Sequence, residues 1–253
     1  MMLRTFRSDL HIHTCLSPCG ELEMSPQAIV RTCLEKELDL IAVCDHNSAE
    51  NVEGVRKAAE STDLTILPGM EVTTVEEVHI LAIFDEQEQV MKLQEDVYGQ
   101  LLPGENDDDL FGIQVVANEL DEVEKIVHKL LIGGTTLSLD NLVERIHGLG
   151  GLVICSHIDR ESYSIVGQLG MIPEHLPIDA LEVSPRSDVR DMRSQCPGAE
   201  HFPLITSSDA HRLDEIGKSC TVFSLEEPNV CEIRKAFKNV DGRKIIDGGL
   251  PLC

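Results

Sequence analysis

The sequence predicts an α/β fold in which parallel βα units curl into a barrel that one insertion interrupts. Three observations carry this expectation. Short apolar runs alternate with amphipathic stretches almost from the first residue, the rhythm of strand–helix–strand units. The chain has 253 residues, enough for one large domain of barrel size. Residues with metal-ligand chemistry recur where the apolar runs end, and parallel barrels place their active sites at the C-terminal ends of their strands.

The first strand closes on DLHIHTCLSPCG, residues 9–20. Side chains two apart on a strand share a face, so His11 and His13 converge on one point, as a chelate requires; an ordinary half-exposed pair has the same spacing. Ser25 as N-cap, Pro26 in the first turn and the stripe Ile29, Val30, Cys33, Leu34 predict the first helix. The continuous apolar run LDLIAVCDH (38–46) reads as a strand buried on both faces. A second helix over 49–61 leads to LTILPGMEV (64–72), and VHILAIF (78–84) is the fourth strand.

Residues 85–149 break the rhythm with a charged, mainly helical pattern, a stop at IGGTT (132–136) and an N-cap candidate at Ser138. This stretch is read as a helical insertion between the fourth and fifth strands. Alternation resumes with LVICSH (152–157), IDALEVS (178–184), FPLITSSDAH (202–211) and SCTVFSL (219–225), then a helix over 229–238 and a short tail. One domain over 1–253 is expected.

Composition narrows the partners. Acidic residues outnumber basic ones 45 to 21, a formal charge of −24, with solvated runs such as ENDDD (105–109) and NELDEVE (118–124). Such a field disfavours long nucleic acid as a tightly held partner unless a metal or a local basic patch offsets it, and favours a small substrate. No window has the length of a membrane span, and MMLRTFRSDL carries charge where a signal peptide needs an apolar core. A cytoplasmic location is expected. The nine cysteines, scattered through strand-like runs, suit reduced thiols.

The placement of histidines and acids is the strongest functional signal. His11 and His13 end the first strand, Asp45 and His46 the second, and Glu71 the third, while His157 ends the fifth and Asp209 and His211 the seventh. Singly, each has a bland reading as a capped turn or a strand-end side chain; together they meet at one mouth. His79 stands at the wrong end of the fourth strand in simple parallel register. His128, His147, His175 and His201 lie in helix or loop context and receive no function.

In their order DLHIHT, AVCDHN, PGMEV, HILAIF, CSHID, LEVS and SSDAH, the motifs make the chain similar to the polymerase and histidinol phosphatase (PHP) superfamily over nearly its whole length. The resemblance implies a distorted seven-stranded TIM-like barrel, (β/α)7, and a site of two or three divalent metal ions. It is closest to the stand-alone phosphoesterases acting on nucleotides or short oligonucleotides. The ligands it implies are His11, His13, His46, Glu71, His79, His157, Asp209 and His211, with Glu71, Asp209 and His211 in catalytic roles. One departure concerns the third metal. Where that branch often has SDG, this chain has SPCG, and Pro18 cannot ligate. Cys19 is then either a thiolate ligand that favours zinc or a turn cysteine.

Mixed imidazole and carboxylate donors suit manganese, iron or zinc. Glu71 is the expected bridge between two ions, which polarise a phosphoryl group and turn a bridging water into hydroxide for hydrolysis. Asp9 and Asp45 are candidates for orienting imidazoles. Arg160 and Arg186 lie just past strand ends, where they either grip a phosphate or face solvent. The expectation is therefore a metal-dependent phosphoesterase on a small phosphorylated substrate: a nucleotide, a short oligonucleotide or a phosphometabolite. The alternatives are an amidohydrolase-type C–N hydrolase and a metal-binding regulatory module without turnover.

Overall fold

The computed structural model describes residues 2–187, 192–193, 195–196 and 198–246. In chain order it runs β1 (Arg4–Ile12), α1 (Pro26–Glu35), β2 (Leu40–Val43), α2 (Val52–Ala58), β3 (Thr65–Thr73), β4 (His79–Ile83) and α3 (Gln87–Gln100). Next come α4 (Asp108–Phe111), β5 (Val115–Ala117), β6 (Val123–Ile126), α5 (Leu139–Gly148), β7 (Leu152–Cys155), α6 (Ile165–Leu169), β8 (Ala180–Val183) and β9 (Leu204–Thr206). The last elements are β10 (Thr221–Leu225), α7 (Val230–Phe237) and β11 (Lys244–Ile246).

The main sheet has nine strands in the order β11-β10-β1-β2-β3-β4-β7-β8-β9, not the expected seven, and it is mixed. It curls until the end of β1 meets the segment after β9, where the His13 N–H donates to the Ala210 carbonyl at 2.9 Å. β4 runs antiparallel to both β3 and β7, and β10 antiparallel to β1. Connection length explains the reversal of β4. Only residues 74–78 separate it from β3, whereas a parallel crossover needs a dozen or more. The supposed tail contains β11, which pairs with β10 on the outer edge.

Side-chain alternation divides the core into two layers. Ile41 and Val43 of β2 and Ile80 and Ala82 of β4 face the helices, together with Ile29 of α1 and Val55 of α2. Leu40, Ala42, Leu81 and Ile83 point to the concave side, where α7 closes the floor with Ile233 and Phe237 against Phe223. The two phenylalanine rings lie 6.0 Å apart, and burying a side chain of this size contributes about 1.5–3 kcal/mol. Gly69 lets β2 and β3 approach closely, since a Cβ there would sit 2.7 Å from Cys44 Sγ and 2.8 Å from the Val43 carbonyl.

Ser138 caps α5 as expected, accepting from the Asn141 N–H, whereas Ser25 occupies the N-cap position of α1 without a side-chain bond. The insertion is less helical than its pattern predicts, because between α4 and α5 it carries the antiparallel β5–β6 hairpin. Asn47 ties it to the mouth: its amide donates to the Leu131 and Gly133 carbonyls at 2.8 Å, and its oxygen accepts from Thr73 N–H at 3.0 Å. Among the described residues no helix is long and apolar enough to cross a membrane, and the described cysteines are all unpaired thiols.

Candidate metal centre

The strands aim their polar residues at one mouth. Between Asp9 and Ile12 the pairing of β1 with β2 slips, so Leu10 joins the concave cluster and Ile12 the outer one. That slip turns His11 and His13 inward together, with their Nε2 atoms 3.0 Å apart. On β3, Met70 and Val72 face outward and Glu71 between them faces in. The reversal of β4 resolves the misfit of His79, for the first residue of an antiparallel strand lies beside the last residues of its neighbour. His157 and Asp209, just past β7 and β9, turn over the mouth with left-handed φ of 31° and 51°.

Glu71 is the centre of the arrangement. Its Oε2 lies 3.1 Å from His46 Nδ1 and 3.5 Å from the Nε2 atoms of both His11 and His13. Its Oε1 lies 3.1 Å from His79 Nδ1 and 3.3 Å from His157 Nε2. One carboxylate thus faces two separate groups of imidazoles. Asp209 Oδ1 closes the first group at 3.3 Å from His11 Nε2 and 3.2 Å from His13 Nε2, and its Oδ2 is bonded by Arg160. His211 stacks on His13 with ring centroids 4.0 Å apart and shares a ligand cluster with His13 and His46.

The donor set fits divalent metal. Three groups, His11–His13–Glu71, His46–Glu71–His79 and His13–His46–His211, hold their ligand atoms within 4.8 Å of one another. Ring nitrogens of two imidazoles at 3.0 Å need a proton or a cation between them. The buried His46 Nδ1 lacks a hydrogen-bond partner although Glu71 is beside it. Burial drives the His46 pKa well below its ordinary value, and burial with neighbouring His211 pushes His13 down to about 3. For His11 burial works the other way from the outcome: Glu182, Asp209 and Glu71 hold its pKa well above the ordinary value. Against their own burial, Glu71 is held far below the usual carboxylate range by His79 and His11, and Asp209 by His11 and His13. Ionised Glu71 and Asp209 beside the neutral rings of His13 and His46 are in the protonation state that metal ligation requires.

The surrounding residues divide into those the sequence indicated and those it did not. Arg160 and Arg186 both line the cavity of about 720 Å³ above the cluster. Cys19 lines it too, but its sulfur joins none of the three ligand groups, and burial followed by Glu71 and Asp209 pushes its thiol up to about 12. Asp45 acts on His13 through Ser17, whose hydroxyl lies 2.7 Å from Asp45 Oδ1 and 2.8 Å from His13 Nδ1. Asp9 touches no imidazole; it accepts from the Ser208 and Gly217 N–H groups at 2.9 Å. Glu182 was not anticipated. Fully buried at the end of β8, it places both oxygens 3.1 Å from His11 Nδ1, and its sole advance signal was an acid inside the apolar run of LEVS. Tyr163, whose ring stacks on His79 at 4.5 Å, gave no signal.

A curled mixed sheet whose strand ends gather histidines around one carboxylate defines a metal-binding α/β class. The PHP domain sequence model matches residues 9–166, and the PHP-associated model matches residues 199–240. The chain belongs to the PHP domain family. It is 32% identical over 111 residues to the uncharacterized protein YqxK of Bacillus subtilis strain 168, a stretch covering 42% of this chain and 28% of that protein. The lesion-specific endonuclease Q of Pyrococcus furiosus superposes with a TM-score of 0.69 at 21% identity, over 96% of this chain and 58% of that one. An endonuclease Q structure also exists with a 27-mer duplex substrate carrying an abasic lesion at the active site. A candidate metal-dependent phosphoesterase from Bifidobacterium adolescentis ATCC 15703 gives a TM-score of 0.57 at 19% identity, over 81% of this chain and 87% of that one. The chain therefore spans less than two thirds of YqxK and of endonuclease Q.

Proposed function

We propose that this protein is a metal-dependent phosphoric ester hydrolase whose active site is the mouth around Glu71. The observation that carries the proposal is the double exposure of that carboxylate, with Oε2 toward His11, His13 and His46 and Oε1 toward His79 and His157. A carboxylate so placed would serve cations held by either group of imidazoles, and His13, His46 and His211 would hold a further one. Divalent ions there, of the manganese, iron or zinc type, supply Lewis-acid polarisation of a phosphoryl group and of water.

The chain's own groups supply the rest. Arg160, bonded to Asp209 through one of its nitrogens, lies beside the cluster and takes a phosphate oxygen through its remaining guanidinium N–H groups. Next to Arg160, Asp209 and His211 are coupled to each other, with the His211 Nδ1–H donating to the Asp209 carbonyl at 2.9 Å so that Nε2 stays free. Glu182 and Ser17 fix the rings of His11 and His13 from behind. The curled sheet is taken here as barrel-like and residues 1–253 as a single domain with an insertion.

The expectation against long nucleic acid is corrected. The net charge of −24 acts over the whole surface, whereas this cavity is lined by Arg160, Arg186, Arg212 and Lys218 as well as by Glu21, Glu71, Asp209 and Glu215, so its lining is mixed in charge and not uniformly acidic. A protein of similar fold accepts a lesion-bearing duplex. A phosphate ester of a small molecule and one in a nucleic acid strand both suit the site.

The test is a panel of phosphomonoesters, diesters and an abasic duplex, assayed with metal-replete and chelated protein. Turnover on at least one ester, lost on chelation and restored by manganese, iron or zinc, is expected. Tight metal binding with no turnover on any ester would instead support the regulatory module.

A further inference from the structure

Resting on the hydrolase reading above, we propose that Tyr163 selects the organic half of the substrate, stacking a planar heterocycle carried on the phosphorylated group. The ring covers His79 at a centroid distance of 4.5 Å and an interplanar angle of 24°, so one face is spent on a ligand histidine. Tyr163 is nonetheless 42% exposed and lines the cavity above the cluster. Apart from the ligand histidines it is the cavity's one aromatic side chain among the described residues, in a chain with two tyrosines and no tryptophan.

Its backbone is unusual as well. Tyr163 has φ of 58°, a left-handed conformation that costs a bulky residue energy and that glycine would adopt freely. The strained turn is fixed at both ends. The Tyr163 carbonyl accepts from the His79 N–H at 2.9 Å, and the Ser164 hydroxyl donates to the Arg160 carbonyl at 2.5 Å.

Residues 160–163 thus span the metal centre, with Arg160 on Asp209 at one side and Tyr163 on His79 at the other. A phosphate held by Arg160 and the metal centre leaves its organic group beside an open aromatic face. Base-on-aromatic stacking tolerates any base and gives little to a saturated sugar or alcohol.

The test compares binding of two unreactive phosphonates, in which methylene replaces the ester oxygen, to the metal-loaded protein by calorimetry. One mimics adenosine 5'-phosphate and the other ribose 5-phosphate. The wild type is expected to prefer the adenosine analogue by roughly tenfold. Y163F should keep the preference, because the ring and not the hydroxyl carries it. Y163L, which still covers His79, should lose it while retaining metal content and affinity for the ribose analogue.

Absence of preference in the wild type, its persistence in Y163L, or equal loss of both ligands together with metal would each overturn the proposal. Because neither analogue is hydrolysed, failure of the hydrolase reading shows separately as absent turnover on the ester panel with the preference intact.

Discussion

Replacing Glu182 by glutamine tests whether the geometry behind His11 governs metal binding. Glu182 is fully buried, and its Oε1 also accepts from the His157 N–H at 3.2 Å, so it braces two ligand residues at once. The carboxylate fixes the His11 tautomer with its proton on Nδ1, which leaves the Nε2 lone pair for a cation. Glutamine has the same shape and keeps one acceptor oxygen, which at the Oε1 position still serves the N–H groups of His11 and His157, while the charge and the second acceptor beside His11 Nδ1 are lost. A hydrogen bond to a charged acceptor contributes about 1.5–3 kcal/mol and a neutral one about 0.5–1.5 kcal/mol, a difference of about 1–2 kcal/mol for the His11 contact. That difference corresponds to roughly five- to thirtyfold weaker metal binding. Competition against a chromophoric chelator measures it, with the unfolding temperature of metal-free protein as a check on folding. An affinity within about twofold of wild type would refute the reasoning, because a change below roughly 0.4 kcal/mol leaves no room for the bracing role.

Two further perturbations probe the frame around the site. N47A removes two donors and an acceptor that join the insertion to β3, at a residue with φ of 50°; a loss of about 2–4 kcal/mol is expected in urea unfolding. N47G, which relieves the backbone but restores no bond, should recover only part of it. E232Q probes the acid limb of stability. Hydrogen bonds from Arg243 and Lys235 pull the Glu232 pKa from 4.5 down to about 2, so the folded state holds this group ionised where the unfolded chain takes up a proton. That stabilisation is complete above about pH 4.5 and is lost as pH falls toward 2. The difference in stability between wild type and E232Q should therefore shrink across this window, and a difference that stays constant would contradict it.

Much of the site was legible because its chemistry is local. Histidines and acids that end apolar runs have few other reasons to stand there, so His11, His46, Glu71, His157 and Asp209 could be read one strand at a time. What remained hidden depends on partners distant in sequence. Glu182 meets His11 across 171 positions, and no pattern within either segment records the pairing. The reversal of β4 was present in the sequence as a gap of residues 74–78, but an apolar run looks the same in either direction, so only the connection length carried the information. The β5–β6 hairpin was masked because all of β6, Val-Glu-Lys-Ile, is exposed and has no buried face to impose alternation.

Backbone strain links these levels. Asn47, His157, Tyr163 and Asp209 all combine left-handed φ with a place at the mouth. Such a conformation costs roughly 1–2 kcal/mol for a residue with a Cβ, so each must be held by something. Asn47 is held by its bonds to the insertion and β3. The N–H of His157 is held by Glu182, and Asp209 is held by His11, His13 and Arg160. Among the described residues Tyr163 has only a carbonyl bond and the ring on His79. With its turn also closed by the Ser164 bond to the Arg160 carbonyl, the strain at Tyr163 is borne locally, and its result is a half-exposed aromatic ring in the lining of the cavity.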